Sequence, residues 1–125
     1  MPSSITWEDK GLYARFNGEC SIGDITKVFD RLAADPRMDS ARYAIFDYLD
    51  VSGHDVTDQD IEHAAALDIG LSFTNPRLRF ASVTTDERIR ALWRHYISVN
   101  VKTERHGLFE TEAQARAWVA ERAGA

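Results

Sequence analysis

The chain has 125 residues, 44% hydrophobic and 28% charged, with a net charge of −5. This length suits one core, so we expect a single domain over residues 1–125. The negative charge argues against nonspecific nucleic-acid binding, which needs a basic face, and no apolar run approaches the ~20 residues that span a bilayer.

The first predicted elements are a β-hairpin and a helix. The segments SITWED and LYARFNG alternate apolar and polar residues around a turn, which predicts strands at about residues 4–8 and 12–18. Ser21 and Asp24 have the spacing of a capping box, and apolar residues follow at helical spacing. Pro36 ends this helix, because the residue before a proline is pushed out of the helical region.

Strands and helices then alternate. The run ARYAIFDYL is almost entirely apolar and aromatic, which is typical of a strand buried on both faces. After an aspartate-rich turn, we expect a helix at about 57–73, a strand at 78–84, a helix at 86–97, a weaker strand and a closing helix. The order ββαβαβαβα predicts an α/β domain with a five-stranded sheet, partly parallel, and about four helices.

The stretch DYLDVSGHDVTDQD, residues 47–60, is the main candidate for a functional site. It follows the buried strand, and ligands usually gather at the carboxyl ends of parallel strands. Its candidates are Asp47, Asp50, Ser52, His54 and Thr57. As structure alone, the aspartates and serine would form a turn, and Thr57 would cap the next helix.

Three functional interpretations of residues 47–60 compete with that turn. A metal site is disfavoured, because the acidic residues do not have EF-hand spacing, and we expect no metal and no cofactor. An enzyme could use Asp47, Asp50 and His54 for acid–base chemistry. A phosphorylation switch could use Thr57 or Ser52, since a phosphate would meet free N–H groups at a helix N-terminus.

The helix at about 57–73 is apolar on two sides, where a surface helix normally shows one stripe. Either another element covers the second side, or it is an interaction surface for a protein partner or a second copy of the chain. Asp68 and Leu71 are included in that candidate surface. The two apolar rows are Ile61, Ala65, Ile69 and Phe73, and Ala64, Leu67 and Leu71.

An apolar pocket is the second functional possibility. Trp93 and Tyr96 lie on the helix at 86–97 and could line a pocket between that helix and the sheet. A small apolar molecule or a lipid would be its ligand. Cys20 is the single cysteine, so no internal disulfide can form, and a reducing cytoplasm is the expected location.

A family resemblance covers about residues 5–120. The segments AIFDYLDVSGHDVTDQDIEHAAALD, NPRLRFASVTTDERIRALWRHY and FETEAQARAWV resemble the SpoIIAA-like, or STAS-like, domains of bacteria. The resemblance implies a mixed sheet flanked by helices and a protein-binding module with a phosphorylated serine at the start of the second helix. Thr57 is the nearest hydroxyl, but its neighbours are acidic and no glycine follows it.

The sequence therefore predicts a non-enzymatic STAS-like regulatory domain that binds a protein partner or itself. We expect its surface to join the 47–60 loop to the exposed side of the following helix. The small-molecule pocket beside the helix at 86–97 is the alternative, and an enzyme using Asp47, Asp50 and His54 comes third.

Overall fold

Five strands form one mixed sheet in the order β1-β2-β3-β4-β5. A computed structural model describes residues 3–99 and 105–123. β1 is antiparallel to β2, and the other neighbouring strands are parallel, which confirms the predicted mixed sheet. The strands are β1 (Ser3–Trp7), β2 (Gly11–Cys20), β3 (Tyr43–His54), β4 (Arg79–Val83) and β5 (His106–Phe109).

Helices cover both faces of the sheet unequally. The main core lies on the face that α1, α2 and α3 cover, and a smaller core lies under α4. The predicted order ββαβαβαβα is confirmed, with a short 3₁₀ turn at Pro36–Asp39 as an addition. The helices are α1 (Ile22–Ala34), α2 (Asp58–Thr74), α3 (Glu87–Ser98) and α4 (Glu112–Ala123).

Capping boxes begin α1 and α2, at the predicted caps Ser21 and Thr57. The Ser21 hydroxyl accepts a hydrogen bond from the Asp24 N–H at 3.2 Å, and the Asp24 carboxylate accepts one from the Ser21 N–H at 2.8 Å. Thr57 and Asp60 make the same exchange at 3.2 and 3.0 Å. Each box satisfies backbone donors that the first helical turn leaves without an intrahelical partner.

β3 is longer than the sequence predicts. It continues to His54, because residues 50–54 pair with Asn17–Cys20 of β2 across two irregularities in register. The predicted turn over 47–60 is therefore wrong for its first half. Only residues 55–57 separate β3 from α2.

Aromatic side chains hold the main core together. Phe16 stacks on Tyr48 with ring centroids 4.8 Å apart, and Phe46 makes edge contacts with Phe16, Phe29 and Phe80. Such pairs add to the free energy gained by burying the rings. Within the described residues, none of the helices is long and apolar enough to span a bilayer.

Candidate functional site

The predicted cluster at the end of β3 is divided between the two faces of the sheet. Asp47 is 4% exposed and lies on the α4 side, where it accepts hydrogen bonds from the Tyr13 hydroxyl and, at 2.8 Å, from the Leu49 N–H. Burial and this carboxylate raise the pKa of Tyr13. Asp47 thus has protein partners on both oxygens.

Asp50 and Ser52 lie on the exposed part of the same strand. The Asp50 carboxylate forms an ion pair with Arg15, and this hydrogen bond raises the pKa of the Arg15 guanidinium. Both side chains are about half exposed, so the pair is screened by water and contributes little to stability. Asp50 is close to Asp47 in sequence, but its charge is neutralised by Arg15 of β2.

His54 lies on the opposite face, under α3. Its Nδ1 accepts a hydrogen bond from the Val56 N–H at 3.3 Å, and its partner in the β2–β3 register is Cys20. Burial, together with the charges of Asp24 and Asp55, raises the pKa of the Cys20 thiol to about 11. The thiol is therefore protonated at neutral pH, which disfavours a Cys–His nucleophile, because the thiolate is the reactive form.

Thr57 stands at the N-terminus of α2 with an exposed side chain. Its hydroxyl already accepts a hydrogen bond from Asp60, and Asp58 and Asp60 place two carboxylates in the first turn. A phosphate on Thr57 would have to replace the capping box and face these charges. Phosphorylation of Thr57 stays a prediction.

Asp68 and Leu71 require a correction, because they lie inside the protein and not on the predicted surface. Asp68 is 0% exposed and accepts hydrogen bonds from the Tyr96 hydroxyl at 2.7 Å and from His106 Nε2 at 2.5 Å. Leu71 is 8% exposed in the main core. The side of α2 that carries Asp68 meets α3 and β5, so Asp68 is not available to a partner.

The outer face of the second half of α2, opposite the side that meets α3 and β5, is apolar. Phe73 is 85% exposed, and Ala66 and Gly70 are exposed beside it, with Ile69 partly buried. These four residues, which we call the Phe73 patch, lie at three- and four-residue spacings along one side of the helix. The first half of the same face carries Gln59, Glu62 and His63, which are polar.

A groove of about 200 Å³ adjoins the Phe73 patch, between α1, the 3₁₀ turn and α2. Gly70 and Thr74 line it, and Gly70, three residues before Phe73, is a neighbour of Phe73 on the helix surface. Asp30 and Asp39 supply negative charge at its walls. Its apolar walls are Phe29, Ala33, Met38, Leu67 and Leu71.

Among the described residues, histidine, cysteine, aspartate and glutamate side chains form no group of three that could hold a metal ion. At the predicted site the reason is that Asp47 and Asp50 lie on one face of the sheet and His54 lies on the other. The three side chains proposed for acid–base chemistry likewise do not converge on one point.

Comparison with known proteins identifies the fold. A crystal structure of an uncharacterized protein from Shewanella loihica PV-4, described as a DUF3478 family member with a SpoIIAA-like fold, superposes with a TM-score of 0.56. The match covers 94% of this chain and 91% of that one at 17% sequence identity. The chain has a SpoIIAA-like fold. No family model matches the sequence, and no curated protein matches it either.

The SpoIIAA-like fold confirms the architecture that the sequence resemblance implies. At 17% identity the likeness concerns the fold alone and carries no ligand or partner to this chain. Within this fold, α2 follows directly from the long central strand. The sequence pattern does not reveal the Phe73 patch, because Phe73 falls in the same row as Ile61 and Ala65, which are buried.

Proposed function

We propose that this SpoIIAA-like domain acts by protein–protein contact and not by catalysis, through the Phe73 patch and the adjoining groove. The 85% exposure of Phe73 carries the proposal. Burying a phenylalanine side chain is worth about 1.5–3 kcal/mol, so a ring held in water beside an apolar groove favours association with a second surface.

The patch and the groove together form a self-complementary surface. A two-fold interface uses the same patch on both partners, so it needs a projecting group and a receptor side by side. Phe73 is the projecting group, and the groove of about 200 Å³ has room for a phenyl ring, since a cavity of roughly 150 Å³ holds benzene. A second copy of this chain is therefore the partner that we propose.

Charge supports the same partner. The groove presents Asp30 and Asp39, and an apolar anchor that enters it gains from a nearby cation. Arg77 is exposed four residues after Phe73, just beyond the end of α2 at Thr74. When Phe73 of one copy enters the groove of the other, Arg77 of the same copy can approach these aspartates.

The proposed dimer is weak and transient. Two buried Phe73 rings contribute about 3–6 kcal/mol, whereas association costs on the order of 4–15 kcal/mol in lost translational and rotational freedom. The remaining free energy must come from contacts of the other patch residues and of Arg77. These residues are Ala66, Ile69, Gly70 and Arg77. We therefore expect monomers at low concentration and dimers at high concentration.

Sedimentation velocity over a wide concentration range tests this function. The wild-type sedimentation coefficient should rise with concentration, and the Phe73→Glu variant should remain monomeric. Leu49→Glu is the matched control, because Leu49 is also exposed, at 42%, but lies on β3. A wild-type coefficient independent of concentration, or equal behaviour of Phe73→Glu and wild type, would contradict the proposal.

The other predicted contact region lies at the opposite end of α2. Thr57 and Phe73 are sixteen residues apart, or roughly 24 Å along the helix axis. Ser52 and Thr57 therefore do not contribute to the Phe73 patch, and any regulatory contact there is a separate one. Cys20 is the single cysteine, so no internal disulfide forms, which suits a reducing cytoplasm; that stays our expected location.

A further inference from the structure

The groove between α1, the 3₁₀ turn and α2 has the size of a small-molecule site. Its volume of about 200 Å³ exceeds the roughly 150 Å³ of a cavity that holds benzene. It is smaller than the roughly 300–1,000 Å³ of pockets for drug-sized molecules. A ligand that fits is therefore a single ring with a short substituent, and the apolar walls favour a hydrocarbon ring.

A buried amide at the end of α2 holds the groove in shape. Asn75 lines the groove and is 5% exposed, and its Nδ2 donates hydrogen bonds to the carbonyl oxygens of Met38 at 2.8 Å and Ala41 at 2.6 Å. Its Oδ1 accepts a hydrogen bond from the Arg77 N–H at 3.2 Å. These bonds fix the end of α2 against the 3₁₀ turn, so the groove is formed before any ligand binds.

Gly70 leaves the α2 wall of the groove open. It lines the groove, and a Cβ added at this position would meet nothing within 4 Å. A larger side chain at position 70 would therefore take up space at the groove without displacing another residue.

The charge at the groove is negative and lies on one side. Asp30 of α1 and Asp39 of the 3₁₀ turn are exposed, and over residues 3–99 and 105–123 neither forms an ion pair. Two unpaired carboxylates beside an apolar surface oppose an anion and favour a cation. The α2 side of the groove is uncharged and consists of Leu67, Gly70, Leu71 and Thr74.

We infer that this groove binds a small organic ammonium ion that carries an apolar ring. The ring contacts the apolar walls, and the ammonium group lies beside Asp30 and Asp39. A second copy of the chain offers the same chemistry, because Phe73 supplies a ring and Arg77 supplies a cation. The ligand therefore competes with the dimer, and this regulatory effect rests on the proposed function, whereas ligand binding to the monomer does not.

Benzylamine and benzyl alcohol form a matched pair of probes, because they have nearly the same shape and only the amine carries a charge at pH 7. Each is titrated into dilute full-length protein, where the proposed dimer is dissociated, while the NMR signals of the groove residues are followed. We expect saturable shifts and roughly fivefold higher affinity for benzylamine, a preference that fades in concentrated salt. Equal affinity for both probes, or no saturable shift with benzylamine, would overturn the inference.

The two groove aspartates should account for the preference for the amine. Asp30→Asn and Asp39→Asn, made together, should bring the affinities for the two probes to about the same value. Asp55→Asn and Asp58→Asn together are the matched control, because they remove the same charge at exposed positions near the other end of α2. A preference that survives the groove changes, or is lost in the control, would contradict the role of these carboxylates.

Gly70→Leu separates binding from folding. Leucine has a higher helix propensity than glycine, so the urea midpoint should stay unchanged or rise. Because the new side chain takes up space at the groove, affinity for benzylamine should fall roughly tenfold. Undiminished affinity in this variant would place the bound amine elsewhere and contradict the inference.

Sedimentation velocity at high protein concentration tests the competition. Benzylamine should lower the wild-type sedimentation coefficient towards the monomer value, and benzyl alcohol at the same concentration should lower it less. A dimer that persists when benzylamine saturates the groove would overturn the competition. If the wild type never dimerises but the dilute protein binds benzylamine, the proposed function fails and the ligand site stands.

Discussion

Asp68 links three elements through one buried carboxylate. Its Oδ2 accepts hydrogen bonds from Tyr96 of α3 and His106 of β5, and the His106 ring stacks on Phe80 at 5.6 Å. A buried carboxylate is stable only when its oxygens are bound, and its donors need it in turn. Asp68 therefore orients α2 against α3 and β5.

Removing this carboxylate should destabilise the fold severely. We expect Asp68→Ala to lower the free energy of unfolding by about 3–5 kcal/mol, because it leaves buried donors without their acceptor. Asp55→Ala, at an exposed carboxylate, should change it by less than about 0.5 kcal/mol. Urea denaturation of both variants measures this, and equal effects would show that the Asp68 network is not structural.

Cys20 should be unreactive in the folded protein. It is 5% exposed, and its thiol pKa is raised to about 11, so little thiolate is present at pH 8. We expect a thiol reagent such as iodoacetamide to modify it at the rate of unfolding in native buffer and rapidly in denaturant. Rapid modification without denaturant would mean that the structure around Cys20 opens readily.

At the scale of elements, the features that the sequence predicts correctly are those that depend on residues nearby in the chain. The caps at Ser21 and Thr57 depend on residues three positions away, and both are confirmed. The burial of Asp68 depends on Tyr96 and His106, which are 28 and 38 residues away, so a pattern within α2 could not reveal it. The extension of β3 to His54 likewise depends on pairing with the polar end of β2.

Helix α2 contains a glycine, Gly70, that no close contact within the monomer requires. A Cβ added at Gly70 meets nothing within 4 Å, and the position is in the helix interior. We therefore expect Gly70→Ala to stabilise the monomer by about 0.5–1 kcal/mol, because alanine loses less backbone entropy in a helix. Thermal unfolding at low protein concentration measures this change, and destabilisation would indicate a packing role for Gly70.

An ion pair connects the turn after β1 to the last helix, α4. Glu8, just after β1, binds Arg116 of α4 through two hydrogen bonds of 3.0 and 2.8 Å. The hydrogen bond from Arg116 is the largest cause that lowers the pKa of Glu8 below 4.5, and Tyr43 adds to the shift. Because the folded pKa is the lower one, the stabilisation is present above pH 4.5 and is lost as the pH falls through the folded value.

Glu8→Gln tests this connection in the whole molecule. The variant should be less stable than wild type at pH 7. The difference should shrink as the pH is lowered below about 4.5, where the unfolded chain begins to take up the Glu8 proton, and through the lower folded pKa. Urea midpoints at a series of pH values measure it. A difference that is constant across this range would contradict a role for the Glu8 charge.

The central claim, that two copies meet through the Phe73 patch, is tested most directly by an NMR dilution series on the wild-type protein. We predict that amide signals from 66 to 77 and from the groove residues of α1 and the 3₁₀ turn shift with concentration, while signals from α4 and β1 do not. Concentration-independent spectra, or shifts centred on another surface, would contradict the claim.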